Sequence, residues 1–481
     1  MEENMIFDIT KPYCHFFNEI CKIPHGSRNE KQLSDWLVAF AKERHLRYLQ
    51  DDLWNVVIYK DASAGYEDHP GVIIQAHMDM VTEKIPGCTH DFETEPLELY
   101  VEGTHLRARG TTLGADDGMG CAYMLAILDD DSLAHPYLEC CFTTQEEVGL
   151  VGAQALKPEY FKARRMINLD GAGEVKTYMS MGGGEQVTLT KPLHYQDNAK
   201  PAYRIYIDGL QGGHSGGMID KERGNAGKLM ARLLCMLDRQ GISFEIASYC
   251  GGEKHNVIIP RCEAVICTDA PEQLVREACN QAGQIFHEEL ELSDDGVRVS
   301  VEKAAADRAI VHEEGMELAE LCYLLPYGLK SRNVTVADYP PITSVNVGII
   351  KTGTEEATIG VSARSALECV VDDLKQECIL LGRLFGAEAT CSGRYPGWKY
   401  EAESPLREIM KQVYFDIYNK PLNCLIGHGG NECGVFKKMH PDMDIVTSGA
   451  IYGMIHTPDE FLDLASFDRA WILLTRLIAA L

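Results

Sequence analysis

The sequence predicts an α/β protein with a second, α+β domain inserted into the first. Two observations carry that prediction. Residues 72–76, 138–143 and 165–169 are short apolar runs with the length and flanking residues of buried strands, and helical stretches lie around them. After Met181-Gly182-Gly183-Gly184 the texture changes: β-rich stretches such as AYRIYIDG and SVNVGII alternate with helical ones until about residue 395. From about 396 the first pattern returns. The expected organisation is residues 1–187 and 396–481 as one domain, with 188–395 inserted into it. A chain of 481 residues is too long for one ordinary core, which agrees with this division.

The elements follow in order. The first 45 residues read as helical, with Ser27 a candidate N-cap before an amphipathic stretch over 30–44. A strand pair at 55–59 and 72–76 follows. At the end of its second member, His77 and Asp79 stand two apart, which on a strand puts both on one face. Residues 84–106 are loop-rich and lead into LGADDG, where Asp116 and Asp117 open an apolar helix. One aspartate there can serve as a cap; two exceed what one cap needs. The strand at 138–143 ends in Gln145-Glu146-Glu147-Val148-Gly149, and that at 165–169 ends in Asp170-Gly171. Ends of strands are where open α/β sheets place their ligand crevice. The glycine run at 181–184 is a candidate hinge. Helices are expected over 226–239, 271–290, 309–323 and 371–386, then over 405–418 and 465–480. Two loops lie between the last pair, GHGGNECG and SGAIYGMIHTPDE.

Composition excludes several classes. A net charge of −27 leaves no basic surplus for phosphates, so neither a nucleic acid nor an anionic membrane is an expected partner. No apolar run approaches the ~20 residues of a membrane span. The start, MEENMIFDIT, lacks the charged and apolar regions of a signal peptide. Seventeen cysteines, an odd number without a C-x-x-C pair, argue against structural zinc ribbons and for reduced thiols. A cytoplasmic location is the expectation.

The residues with chemistry to offer are His77, Asp116, Glu147, Asp170 and His456. Two imidazoles and three carboxylates can hold two divalent ions if one carboxylate bridges, and Asp116 is the natural bridge. Zinc accepts such a nitrogen and oxygen set, whereas magnesium or calcium would want oxygen throughout. Two metals about 3.5–4 Å apart can activate water and polarise a carbonyl. Glu146, beside a ligand but not itself needed as one, is the candidate general base. Asp79 is the candidate orienter of His77. Hydrolysis of an amide or peptide bond is the chemistry implied.

HMD, LGADDG, QEEVG, NLDG and IHTPDE together resemble the M20 metallopeptidases, and among them the aminoacyl-histidine (Xaa-His, carnosine-cleaving) dipeptidases. The resemblance runs through the whole chain in order. It implies a mixed-sheet zinc-peptidase catalytic domain with an inserted lid, two divalent metal ions per subunit (zinc, with manganese or cobalt as alternatives) and a homodimer. By resemblance His77 and Asp170 hold one metal, Glu147 and His456 the other, and Asp116 bridges them. Asp79 partners His77, and Glu146 is the base. In the lid, His214 of GGHSGG matches the histidine that reaches the metals and steadies the oxyanion. Asn256 and Arg364 match residues that hold the substrate's terminal carboxylate. The loop with Gly429 and Gly430 lies where the family binds that carboxylate. Gly429 and Asn431 depart from the alanine and leucine of the best-known dipeptidases. Asp117 keeps a capping role by default. The same scaffold also carries N-acyl amino-acid deacylases, tripeptidases and carboxypeptidases, which remain alternatives at this point.

Overall fold

The structure, a computed structural model, describes residues 6–171 and 173–481. It divides into two compact units. The first comprises Met1–Met181, Trp398–Gly427 and Asn431–Leu481; the second comprises Gly182–Gly397 together with His428–Gly430.

The first unit is built on a six-stranded mixed sheet. Its labelled strands are β1 (Arg47–Gln50), β2 (Val56–Lys60), β3 (Val72–His77), β4 (Leu138–Thr143) and β5 (Arg165–Asn168). The order across the sheet is β1-β2-β4-β3-β5, closed by the strand Asp444–Thr447. The central pairs are parallel: β3 with β4, β3 with β5, and β5 with the last strand. Every residue of β3 and β4 is buried, which explains why these strands read as continuous apolar runs without alternation. Their carboxyl ends point one way, so His77, Glu146, Glu147 and Asp170 emerge on one edge.

The helix Ala115–Asp129 is buried along nearly its whole length, among helices Pro12–Ile20 and Leu464–Ala479. Its far end is closed from the sheet. The Lys60 ammonium, on β2, donates to the carbonyls of Ile127 (3.2 Å), Leu128 (3.1 Å) and Asp130 (2.9 Å), supplying donors that the last turn of a helix lacks. Ser27 is not the N-cap expected of it. The helix Lys31–Glu43 starts after Glu30 with no side-chain cap, and the Ser27 hydroxyl donates to Asp79 instead.

The second unit holds a nine-stranded sheet. Its four strands of interest are β6 (Gly183–Pro192), β7 (Pro341–Thr352), β8 (Glu356–Ser365) and β9 (Glu388–Tyr395), adjacent in the order β7-β8-β6-β9 and antiparallel throughout. Its own apolar core packs helices Ala226–Arg239, Glu272–Leu290, His312–Leu324 and Glu368–Leu384 on the sheet. The glycine run at 181–184, the candidate hinge, lies where the first unit ends at Met181 and the second begins at Gly182, and regular strand starts at Gly183. A side chain at Gly183 would collide with the backbone at Pro396 and Gly397, so the run serves close backbone approach within a strand.

Removing the Lys60 ammonium should leave three carbonyls, two of them buried, without this donor. Lys60→Met is expected to lower the local unfolding free energy of the first unit by about 1–3 kcal/mol. Native-state hydrogen exchange of the β3 amides measures this.

Candidate metal centre

The edge of the first unit's sheet gathers the candidate ligands into three overlapping groups. His77 with Asp116 and Asp170, His77 with Glu146 and Glu147, and Asp116 with Glu147 and His456 each have ligand atoms within 4.8 Å of one another. His77 Nε2 lies 3.1 Å from Asp116 Oδ1, and His456 Nε2 lies 3.0 Å from Glu147 and 3.8 Å from Asp116 Oδ2. Asp116 is thus shared by the two histidine-containing ends of the cluster.

Local structure explains how each group is aimed. Asp116 and Asp117 carry non-helical backbone angles at the start of their helix, and the peptide between them is cis. Asp117 points inward, where its Oδ1 accepts from the Gly120 amide at 3.3 Å, a cap-like bond to the first turn. The Asp79 carboxylate is wholly buried. It accepts from the Ser27 hydroxyl (2.7 Å) and from the backbone amides of Glu146 (2.9 Å) and Glu147 (3.3 Å). One carboxylate therefore spans from the end of β3 to the turn after β4. The nearest Asp79 atom to His77 Nδ1 is its carbonyl oxygen at 3.1 Å, with Oδ1 at 3.6 Å.

Two supporting residues carried no signal strong enough to single them out from sequence. Glu460 is buried and accepts from the amides of Leu113 (2.8 Å), Gly114 (3.1 Å), Ala115 (2.8 Å) and Asp116 (3.4 Å). It ties the loop that carries His456 to the turn that carries Asp116, across some 345 residues of chain. Tyr452 donates its hydroxyl to Asp170 Oδ1 at 2.7 Å. Both lie in the stretch SGAIYGMIHTPDE, whose histidine draws attention first.

Electrostatics mark the cluster as incomplete without positive charge. Burial, with the Asp116 charge adding to it, pushes the Asp170 carboxyl up to about 8. Burial likewise raises Glu146 and Asp117 well above the ordinary carboxylate range. Crowded buried carboxylates of this kind are stable as anions only beside a cation. The donor set is imidazole nitrogen and carboxylate oxygen, which suits zinc and its borderline neighbours. The residues present therefore fit divalent metal ions.

The other sequence candidates lie in the second unit. Gly213–His214 pairs with Val257–Ile258, and Asn256 Nδ2 donates to His214 Nε2 at 3.3 Å. Arg364, on β8, is buried and donates to the Tyr395 hydroxyl at 2.6 Å. Gly429 and Gly430 follow His428, whose Nε2 shares a 2.7 Å hydrogen bond with Ser344 Oγ. The glycines differ: Gly430 is pressed against the Tyr395 ring, whereas Gly429 has open space where a side chain would project.

Residues 73–480 match the profile of Peptidase family M20/M25/M40. The chain belongs to the M20 peptidases. It is 35% identical over 474 residues to the cytosol non-specific dipeptidase of Escherichia coli, covering 97% of each chain. The crystal structure of the aminoacylhistidine dipeptidase of Vibrio alginolyticus superposes with a TM-score of 0.89 at 31% identity, over 98% of this chain and 96% of that one. A tripeptidase from Staphylococcus aureus shares the fold at 16% identity, with a TM-score of 0.57 over 97% of both chains. The α/β architecture with a catalytic and a lid domain, and metal-dependent hydrolysis, are those of this M20 member.

Divalent metal should displace protons as it binds. The folded Asp170 pKa of about 8 lies above its ordinary 3.8, so the metal-free fold takes up a proton that the unfolded chain does not. Stability from this group is therefore full below about 4 and is lost progressively as pH rises towards 8. Zinc added to metal-stripped protein at pH 7 is expected to release protons and to restore that stability. Titration calorimetry in buffers of different ionisation enthalpy counts the protons; the thermal midpoint, followed against pH with and without zinc, reports the rest.

Proposed function

We propose that the chain hydrolyses dipeptides, those with C-terminal histidine among them, with two divalent metal ions held by His77, Asp116, Glu147, Asp170 and His456. The observation that carries this reading is identity over 97% of both chains to a dipeptidase, combined with an intact set of ligand-type side chains. Zinc is the metal we assign, on the nitrogen and oxygen donor set.

The residues divide the work as follows. Asp116, which faces both histidines, would be shared between the two ions. His77 and Asp170 would hold one of them, Glu147 and His456 the other. Bound there, the metal would supply Lewis acidity, lowering the pKa of water and polarising the scissile carbonyl. Glu146 takes the proton that water loses as it adds to the carbonyl carbon, and delivers it to the amine nitrogen as the C–N bond breaks. The backbone turn that carries Glu146 bonds to Asp79, which supports this role. Arg364, Asn256 and the His428–Gly430 loop hold the substrate's carboxylate, the guanidinium fork suiting it to two parallel hydrogen bonds. His214 is assigned to the substrate's carbonyl oxygen.

Location in the cytoplasm is in keeping with the relative's description as a cytosol enzyme and with seventeen cysteines, none in a disulfide. No helix among the described residues is long and apolar enough to cross a membrane. A homodimer, implied by the family resemblance, is checked by sedimentation.

The function is tested on metal-stripped protein with zinc or manganese restored, using β-Ala-His, Gly-His, Leu-Gly, a tripeptide and an N-acetyl amino acid. Metal-dependent cleavage of the dipeptides alone is expected. Turnover only of the tripeptide or the acylated substrate would move the chain to another M20 activity. Glu146→Ala should keep both metals by elemental analysis while kcat falls about 10²–10⁴-fold, the range of general acid–base contributions. Asp116→Ala should lower metal content at both sites together.

A further inference from the structure

Four residues stand in register across four neighbouring strands of the second unit. Ser344 on β7 pairs with Arg364 on β8, Arg364 pairs with Gly184 on β6, and Gly184 pairs with Tyr395 on β9. Arg364 and Tyr395 are therefore two strands apart, roughly 10 Å along the sheet's hydrogen-bonding direction. They meet because the residue between them has no side chain. A Cβ at Gly184 would lie 2.8 Å from the Tyr395 hydroxyl oxygen, in the space where that oxygen accepts from Arg364.

The His428–Gly430 loop is fastened at both ends of this row. At one end His428 bonds to Ser344, and at the other Gly430 lies against the Tyr395 ring, where any side chain would collide. Two buried polar atoms of the constellation, Arg364 Nε and His428 Nδ1, have no hydrogen-bond partner. Burial and the neighbouring guanidinium push His428 down to about 4, so it is an uncharged ring at neutral pH. Arg364 thus brings the positive charge, and Tyr395 touches both it and the loop.

We propose that Tyr395 is a positioning residue, its hydroxyl aiming the Arg364 fork and its ring seating Gly430, so that guanidinium and loop present one preformed cradle to the substrate's α-carboxylate. The inference rests on the dipeptidase reading above, in which Arg364 and this loop take that carboxylate. A tyrosine serves here because its hydroxyl reaches across the glycine gap while its ring fills the space under the loop. Phenylalanine keeps the ring and removes only the aiming bond.

The test is a double-mutant cycle on the zinc-loaded enzyme with Leu-Gly as substrate, comparing wild type, Tyr395→Phe, Arg364→Lys and the double variant. Tyr395→Phe should raise KM about tenfold, the scale of one hydrogen bond to a charged group, with kcat changed by less than about twofold. In the Arg364→Lys background the same change should cost less than about twofold, because the fork it aims is gone. Metal content should stay at the wild-type value, and circular dichroism should show each variant folded at the assay temperature. An equal loss in both backgrounds, a loss confined to kcat, or an unchanged KM would overturn the proposal. Wild-type enzyme that turns over no dipeptide would instead overturn the dipeptidase reading, and this inference with it.

Discussion

Like charge confined in a small buried space is the constraint on which this structure depends. At the edge of one sheet Asp116 comes within 4.8 Å of both Asp170 and Glu147, and Glu147 within 4.8 Å of Glu146. At such distances a pair of carboxylates repels by about 3–4 kcal/mol even at a generous effective dielectric. Among the described residues, His77 and His456 are the counter-charges that face them. A divalent ion would remove the repulsion; without one, burial first and the Asp116 charge second push the Asp170 carboxyl up to about 8.

The rest of the first unit can be understood as support for that arrangement. Backbone amides that would otherwise be unsatisfied at the turns are turned onto carboxylates. Asp79 collects two from the Glu146–Glu147 turn, and Glu460 collects four from the turn before Asp116. Each such carboxylate fixes a ligand-bearing turn relative to another part of the chain. The Lys60 ammonium does the reverse at the other end of the helix that begins with Asp116, donating to carbonyls. Opposite ends of one helix are therefore closed by charges of opposite sign, as the backbone's own partial charges favour. The second unit uses a different device, a row of paired strand residues with a glycine gap, to bring an arginine and a tyrosine together.

Legibility in the sequence followed the range of the interaction concerned. Strands β3 and β4 were readable because full burial demands unbroken apolar runs, and the helices Ala226–Arg239 and Pro405–Tyr418 because one buried face imposes a helical period. Most of the ligand candidates were readable because they follow a strand or open a helix and metal chemistry restricts residue type; His456, in a loop, was readable only through its motif. Ser27 was misread because a serine before a helix has two uses. Here its hydroxyl is more valuable to buried Asp79 than to the amides of an exposed helix start. The glycine run at 181–184 spans the boundary between the two units, and at 183 and 184 glycine also serves close packing, a use the sequence does not separate from flexibility.

By itself the sequence determined the class of fold, the kinds of side chain available for metal and proton chemistry, and the family to which they belong. Those rest on local periodicity, strand ends and short motifs, all of which act within a few residues. Tertiary structure alone decided that Glu460 would clamp the Asp116 turn, that Tyr452 would reach Asp170, and that Tyr395 would meet Arg364 over Gly184. These contacts join positions up to hundreds of residues apart, and nothing in a tyrosine's or glutamate's neighbours along the chain encodes its partner. Only the register of the strands and the course of the loops put the two atoms within hydrogen-bonding distance.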